Sequence, residues 1–350
     1  DPLIFKKVDS TLRGNISEEI AALASVFPER SFLVAPAFPS QGRTTQDGIC
    51  LVHGIPLDQT DFARDPLNPA QNAYIPAILR HDALDPSVVD PRSLHQWAIS
   101  ASLHNETKAR ANTPRNTSVA VADAATEADL ELIASVWREH SRTVIPVGSA
   151  GLASHLFAGP TSERANVTLP GPLLLVNGSL NPVALRQTEQ AIESGFVDIV
   201  LNELPSEAEI ATKIVAQLED GKNVCLRTIL NRSELTDWKD AFIRWCSAQE
   251  LQVEYPLHEM LPMVFGQVIN SVVRKVMPGG LVVFGGDTVL GIMNSMGVSA
   301  LYPVTELFPG IVVSTVDAAT VSPPLVTKAG GFGGADLVDR IRNSTRSRST

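Results

Sequence analysis

The residues best suited to chemistry lie where apolar runs end in glycine. Leu281-Val282-Val283-Phe284 breaks at Gly285-Gly286 and continues through Asp287-Thr288 into Val289-Leu290-Gly291-Ile292-Met293-Asn294, whose apolar spacing is helical. The pattern reads as strand, tight turn, helix. Glycine permits positive φ and close backbone approach, and a helix start presents unpaired N–H groups with partial positive charge. Such a junction can seat a phosphate. Asp287 and Thr288 add a carboxylate and a hydroxyl at its lip, suited to a metal or a ribose. An ordinary β-α turn with a capping Asp has the same appearance.

Two further junctions share the pattern. Leu173-Leu174-Leu175-Val176 runs into Asn177-Gly178-Ser179, with Asn181-Pro182 as a cap and first-turn pair. Leu325-Val326-Thr327-Lys328-Ala329 runs into Gly330-Gly331-Phe332-Gly333-Gly334, and Asp336 opens a final helix. The carboxyl ends of parallel strands share one edge, where ligands bind. Three such ends would converge on one ligand, and Lys328 would bring a cation to it. None is a Walker motif or a G-x-G-x-x-G fingerprint.

The elements that must position these residues alternate along the chain. In the first half, Leu3–Val8 reads as an inner strand, followed by a helix over 16–27 that Asn15 and Glu18 can cap. Phe32–Ala35 is a second strand, and a long proline-rich loop follows it. Gly48–Pro56 suggests a hairpin turning at Gly54, and 60–69 is irregular. Pro76–Leu79 and Leu94–Leu103 look helical, Ser118–Asp123 and Val144–Val147 look like strands, and a helix over 126–138 lies between these two. Gly, Pro, Ser and Thr then mark a linker. Beyond it come strands at 173–176, 197–201 and 223–227, with helices at 182–193, 206–218, 233–247 and 258–276. The expected fold is α/β: two domains, each a mostly parallel sheet flanked by helices, with the ligand site in the cleft between them. The expected boundaries are 1–158 for a substrate domain, 159–171 for the linker, 172–343 for a nucleotide domain and 344–350 for a polar tail.

The totals agree. The length of 350 residues favours two domains, and 44% hydrophobic with 19% charged residues is ordinary for globular protein. Twenty-eight Lys and Arg against 38 Asp and Glu give a net charge of −10, which argues against a nucleic-acid partner. Cys50, Cys225 and Cys246 have no metal-ligand spacing and read as buried thiols of a reducing compartment. The seven histidines form no zinc-spaced pair, so no metal-ligating residues are assigned, and no Gly-x-Ser-x-Gly elbow occurs. No apolar run has membrane-spanning length and no signal peptide precedes the first element, so the expectation is a cytoplasmic protein without a membrane partner.

Seven separated motifs together resemble a known family. They are Phe5-Lys6-Lys7-Val8-Asp9-Ser10-Thr11-Leu12-Arg13-Gly14-Asn15, Pro36-Ala37-Phe38-Pro39 with Gly42-Arg43-Thr44-Thr45, and Phe62-Ala63-Arg64-Asp65-Pro66-Leu67-Asn68-Pro69 in the first half. Gly148-Ser149-Ala150-Gly151-Leu152-Ala153, Asn177-Gly178-Ser179, Gly285-Gly286-Asp287-Thr288 and Lys328-Ala329-Gly330-Gly331-Phe332-Gly333 complete the set. In this order they look like the four-carbon acid sugar kinases, ATP-dependent enzymes that phosphorylate threonate, erythronate or 3-oxo-tetronate at the terminal hydroxyl. The likeness runs from Phe5 to about Ile341. Two departures stand out. The family's N-terminal strand with an Asp-Asp-x-Thr-Gly signature is missing ahead of Phe5, which makes loss of turnover in this polypeptide an expectation. Asn177-Gly178-Ser179 stands where Ser-Gly-Ser is usual.

The resemblance implies that Ser179, Gly285, Gly286, Asp287, Thr288, Gly330 and Gly331 hold ATP, with Lys328 neutralising phosphate and Mg²⁺ accompanying the nucleotide. A sugar acid carries a carboxylate, and Arg13, Arg43 and Arg64 sit in glycine- or proline-bounded loops suited to grip it bidentately, unless they form loop salt bridges. Lys7 shares a strand face with Asp9 and joins Ser10 on the substrate side. Asp9 is the candidate to orient or deprotonate the attacking hydroxyl, with an Asx-turn as its alternative. A homodimer is left open. The competing readings are an inactive or purely acid-sugar- and nucleotide-binding protein, and a nucleotide-cofactor oxidoreductase, which the missing fingerprint disfavours.

Overall fold

Alternating apolar strands and amphipathic helices give parallel β-α structure, and the computed structural model has it in two units, Asp1–Ser162 and Glu163–Thr350. It describes residues 3–64, 69–111, 116–157, 167–249, 256–317, 322–328 and 331–344.

The first unit contains β1 (Lys6–Lys7), α1 (Ile16–Val26), β2 (Ser31–Ala35), β3 (Arg43–Gln46), β4 (Ile49–Val52), β5 (Ile55–Pro56), α2 (Ile75–Ile78) and β6 (Leu84–Val89). It continues through α3 (Leu94–Ala111), β7 (Thr117–Ala122), α4 (Glu127–His140), β8 (Val144–Gly148) and α5 (Ala150–Leu156). Five parallel strands run in the order β1-β8-β2-β7-β6. The period-two pattern splits the core. Phe32, Val34, Val119, Val121, Ile145 and Val147 pack with α1 and the small antiparallel sheet β3-β4-β5 on one side. Leu33, Ala35 and Ala120 pack with α3, α4 and α5 on the other.

Three expectations change here. The first strand is two residues long and lies at the sheet edge, so it is not an inner strand; its side chains are lysines, which suit an edge. Asn15 precedes α1 without a side-chain cap bond. The hairpin at 49–56 is part of a three-stranded sheet, because the proline-rich loop ends in β3.

The second unit contains β9 (Leu173–Asn177), α6 (Pro182–Glu193), β10 (Val197–Val200), α7 (Glu207–Glu219), β11 (Val224–Arg227), α8 (Leu235–Ala248) and α9 (Leu257–Val273). Then follow β12 (Gly280–Phe284), α10 (Gly286–Met296), β13 (Leu301–Phe308), β14 (Ile311–Val316), β15 (Leu325–Lys328) and α11 (Leu337–Ser344). The order is β10-β11-β9-β12-β15-β14-β13, parallel except for the antiparallel β14 and β13. Leu173, Leu175, Val282, Phe284 and Val326 face α6 and α11, whereas Leu174, Val176, Leu281 and Val283 face α7 to α10.

Connectivity creates a crevice. From β9 the chain leaves through α6 on one face toward β10, while from the adjacent β12 it leaves through α10 on the other face toward β13. The carboxyl ends of β9 and β12 therefore flank a topological switch point, where open α/β sheets bind ligands.

Candidate nucleotide and sugar-acid sites

The three glycine junctions meet at that crevice. Asn177 pairs with Phe284 across β9 and β12, and Phe284 pairs with Lys328 across β12 and β15, so the strands end in one row. Gly285 has φ +107°, and the helix behind it has no side-chain cap. Among the described residues, the N–H groups of Gly286, Asp287 and Thr288 have no hydrogen-bond partner, and Val289 is the first to bond back, to the Gly285 carbonyl at 3.1 Å. Three free amides at a positive dipole end make an anion seat.

The surrounding residues are fitted closely. A Cβ on Gly178 would lie 2.2 Å from Thr288 Oγ1, so only glycine allows the β9 loop to pass the start of α10. Ser179 N donates to Asn177 Oδ1 at 2.9 Å, and Asn181 N donates to Ser179 Oγ at 3.3 Å. Asn181 then caps α6 by accepting from Val183 N, as its sequence position suggested. Asn177 is fully buried, and among the described residues its Nδ2 has no hydrogen-bond partner. Lys328, 3% exposed, has its Nζ 4.5 Å from the Phe284 ring centroid, and burial pulls it down to about 7. Asp287 is exposed at the lip and Gly331 is partly exposed. Gly330 lies outside the described residues. Buried Gln187 of α6 donates to the carbonyls of Phe332 and Gly334 at 2.9 and 2.8 Å, fixing the third glycine loop. Nothing in its helical spacing signalled that role.

In the first unit, Asp9 follows β1 and gathers the expected cations. Its Oδ2 accepts from Thr11 Oγ1 and from Arg13 Nε, both at 2.6 Å. Burial pushes the Asp9 carboxyl up, but the Arg13 charge and the Thr11 hydroxyl outweigh it and hold the group below its ordinary range. Arg13 and Arg43 flank the Phe62 ring, with guanidinium carbons 5.7 and 6.0 Å from its centroid. Arg43 is buried, donates to the Gln41 carbonyl and lies 3.4 Å from His53 Nε2. Burial lowers its pKa while Asp9 opposes the shift. Cys50 donates to the Ser10 carbonyl at 3.6 Å, and burial pushes its thiol up to about 12, leaving it unreactive.

The structure thus brings Asp9, Ser10, Arg13 and Arg43 together and adds Phe62 and His53. His53 holds φ +50°, a left-handed conformation with no sequence signature for a non-glycine residue. Lys7 is different: its Nζ turns back onto the Val8 carbonyl at 2.7 Å, and no described contact joins it to the cluster. The Arg64 side chain lies outside the described residues. Asp123, at the end of β7, accepts from the N–H groups of Asp47 and Gly48, which makes it a turn anchor. The histidines also differ from the spacing argument: His95, Glu139 and His140 cluster on α3 and α4, with the two imidazoles 3.3 Å apart. Helix packing, which short-range spacing cannot report, makes that contact.

The first unit gathers guanidinium groups around a carboxylate, and the second presents uncapped helix amides at its switch point, chemistry that suits a small acid and phosphate oxygens respectively. Similarity to known proteins agrees: residues 1–156 match a sugar-binding N-terminal domain and 174–338 a nucleotide-binding C-terminal domain. The chain belongs to the four-carbon acid sugar kinase family. It is 32% identical to a D-threonate kinase of Salmonella typhimurium, over 95% of this chain and 78% of that protein. It is 26% identical to a D-erythronate kinase of Heliobacterium modesticaldum, over 98% of this chain and 81% of the relative. A crystal structure from Salmonella typhimurium shares the fold at TM-score 0.72 and 19% identity, covering 96% of this chain and 79% of that one. Among the described residues, no helix is long and apolar enough to cross a membrane.

Proposed function

We propose, in place of the loss of turnover expected from the sequence, that this chain transfers the γ-phosphoryl group of ATP to the terminal hydroxyl of a four-carbon sugar acid, with D-threonate as the preferred acceptor. The observation that carries the reading is the uncapped start of α10 at the β9/β12 switch point. Its free N–H groups, Ser179 and the Lys328 cation hold phosphate oxygens, while Gly285, Gly286 and Gly331 let the backbone approach them. Phosphoryl transfer depends mainly on positioning and charge neutralisation, which is what these groups supply. Asp287 and Thr288 offer oxygen donors of the kind Mg²⁺ prefers, and one carboxylate beside phosphate oxygens is a usual set. Mg²⁺ held there would neutralise charge on the transferring group.

Arg43 and Arg13, with Arg64 and Ser10, hold the acid's carboxylate. Asp9 is ionised and already engaged through Oδ2, so its role is to accept a hydrogen bond from the attacking hydroxyl and orient it. The preference for D-threonate rests on the 32% identical relative. Initial-rate assays on D-threonate, D-erythronate and 3-oxo-tetronate test it, with the highest kcat/KM expected for D-threonate. A higher value for either of the others would reassign the acceptor.

A further inference from the structure

We infer that His95 of α3, with Glu139 and His140 of α4, forms a binding site for one divalent transition-metal ion, Zn²⁺ by its choice of donors. The site belongs to the first unit alone. It is separate from the kinase reading and from the Mg²⁺ that accompanies the nucleotide.

Geometry is the first argument. His95 Nδ1 is 3.3 Å from His140 Nε2 and 3.3 Å from Glu139 Oε2, and one donor atom from each of the three residues lies within 4.8 Å of the others. Zinc bonds to imidazole and carboxylate are about 2.0–2.1 Å long, so neighbouring donors around a tetrahedral ion stand about 3.3 Å apart. Two edges of that tetrahedron are therefore in place. Glu139 is exposed, and a rotation of its side chain closes the third. A neutral ring nitrogen carries one proton or one lone pair, so hydrogen bonds from His95 Nδ1 to both partners would have to share a single proton. A cation instead takes one lone pair from each of the three atoms.

The scaffold is the second. Leu94 and Ala98 of α3 are buried with Ile133, Ala134 and Trp137 of α4, so the packing that fixes the two helices also sets their histidines side by side. Thr143 closes the end of α4: its N–H and its hydroxyl donate to the His140 carbonyl at 3.0 and 3.2 Å, and its Oγ1 accepts from Ser102 of α3 at 3.1 Å. The backbone beneath the donors is thus held from both helices, and binding has only side chains left to order. Donor chemistry selects the ion. Imidazole nitrogens suit zinc and its transition-metal neighbours, whereas Mg²⁺ takes oxygen. His95 and Glu139 are exposed, so water completes the coordination. An ion held there cross-links α3 to α4 and stabilises the folded chain by mass action.

Calorimetry with Zn²⁺ on the full chain, stripped of metal by a chelator and without nucleotide, tests this alongside His95→Ala and His140→Asn. His95 is exposed, so its variant keeps the fold; circular dichroism verifies both, and the result for either folded variant is decisive. Expected for the wild type are one Zn²⁺ per chain, undisturbed by excess Mg²⁺, and a melting temperature raised by roughly 5 °C at saturating zinc. Each folded variant should bind zinc at least about tenfold more weakly and lose that rise. A wild type that binds no zinc, or a folded variant that binds it equally well, overturns the inference and leaves the three side chains as a hydrogen-bonded ion pair. Displacement of the zinc by Mg²⁺ overturns it too. None of these readouts uses ATP or a sugar acid, so the kinase reading stands or falls separately.

Discussion

At the carboxyl end of β15 a lysine is kept 3% exposed, and burial pulls it from an ordinary 10.5 down to about 7. The sign follows from proton counting. Between those two values the unfolded chain binds a proton that the native state does not, so stability rises with pH through that window. Below about 7 the native lysine is charged and the cost of burying that charge is present in full. A phosphate beside it reverses the preference. ADP binding at about pH 8 should therefore take up a proton, read by calorimetry in two buffers of different ionisation enthalpy, and Lys328→Met should abolish the uptake. Wild-type binding without proton uptake would remove Lys328 from the phosphate seat. Arg43 carries the matching prediction for the acid. Arg43→Ala should raise KM for the sugar acid by about tenfold to over a hundredfold, the worth of a charge-assisted bond of ~1.5–3 kcal/mol, and leave KM for ATP nearly unchanged. Equal losses for both substrates would make Arg43 a folding residue of the β3 turn.

The junction elements separate packing from ligand contact. Gly178 has no room for a Cβ beside Thr288, and Gly285 adopts φ +107°, so alanine at either position should destabilise the second unit by about 1–3 kcal/mol. At Gly286 a Cβ would meet nothing within 4 Å, and φ is not positive. Gly286→Ala should leave the melting temperature unchanged or slightly raised and still weaken ADP binding, because the new methyl group stands where phosphate approaches. A folded Gly286→Ala chain with undiminished ADP affinity would place the phosphates elsewhere.

These junctions were legible in the sequence because apolar strand, glycine and helix start are consecutive residues. So was the mostly parallel character of both sheets, from β-α alternation. Of the strands that escaped notice, β3, β6 and the β13–β14 hairpin, two share a physical cause: β6 and β13 are edge strands carrying Pro86 and Pro303, and proline argues against a strand unless one edge is open. The roles of Gln187, Phe62 and His53 were illegible for another reason. Their contacts join segments far apart in sequence, or depend on a backbone conformation that residue type does not announce.

At the scale of the whole molecule, the proposed donor and acceptor sites belong to different units of one chain. The second unit offers the phosphate seat and the first offers the Asp9, Arg13 and Arg43 cluster, each built at the carboxyl edge of its own parallel sheet or on the loops that follow it. The loops at the two sheet edges differ in chemistry: helix amides and a buried lysine in one, guanidinium groups around an aromatic ring in the other. The most direct measurement is phosphorus NMR of the full chain with ATP, Mg²⁺ and D-threonate. The account predicts that the γ-phosphate resonance disappears as ADP and one phosphomonoester of the acid appear in equal amounts. ATP left intact with every four-carbon acid, or release of inorganic phosphate with no phosphomonoester, would contradict it.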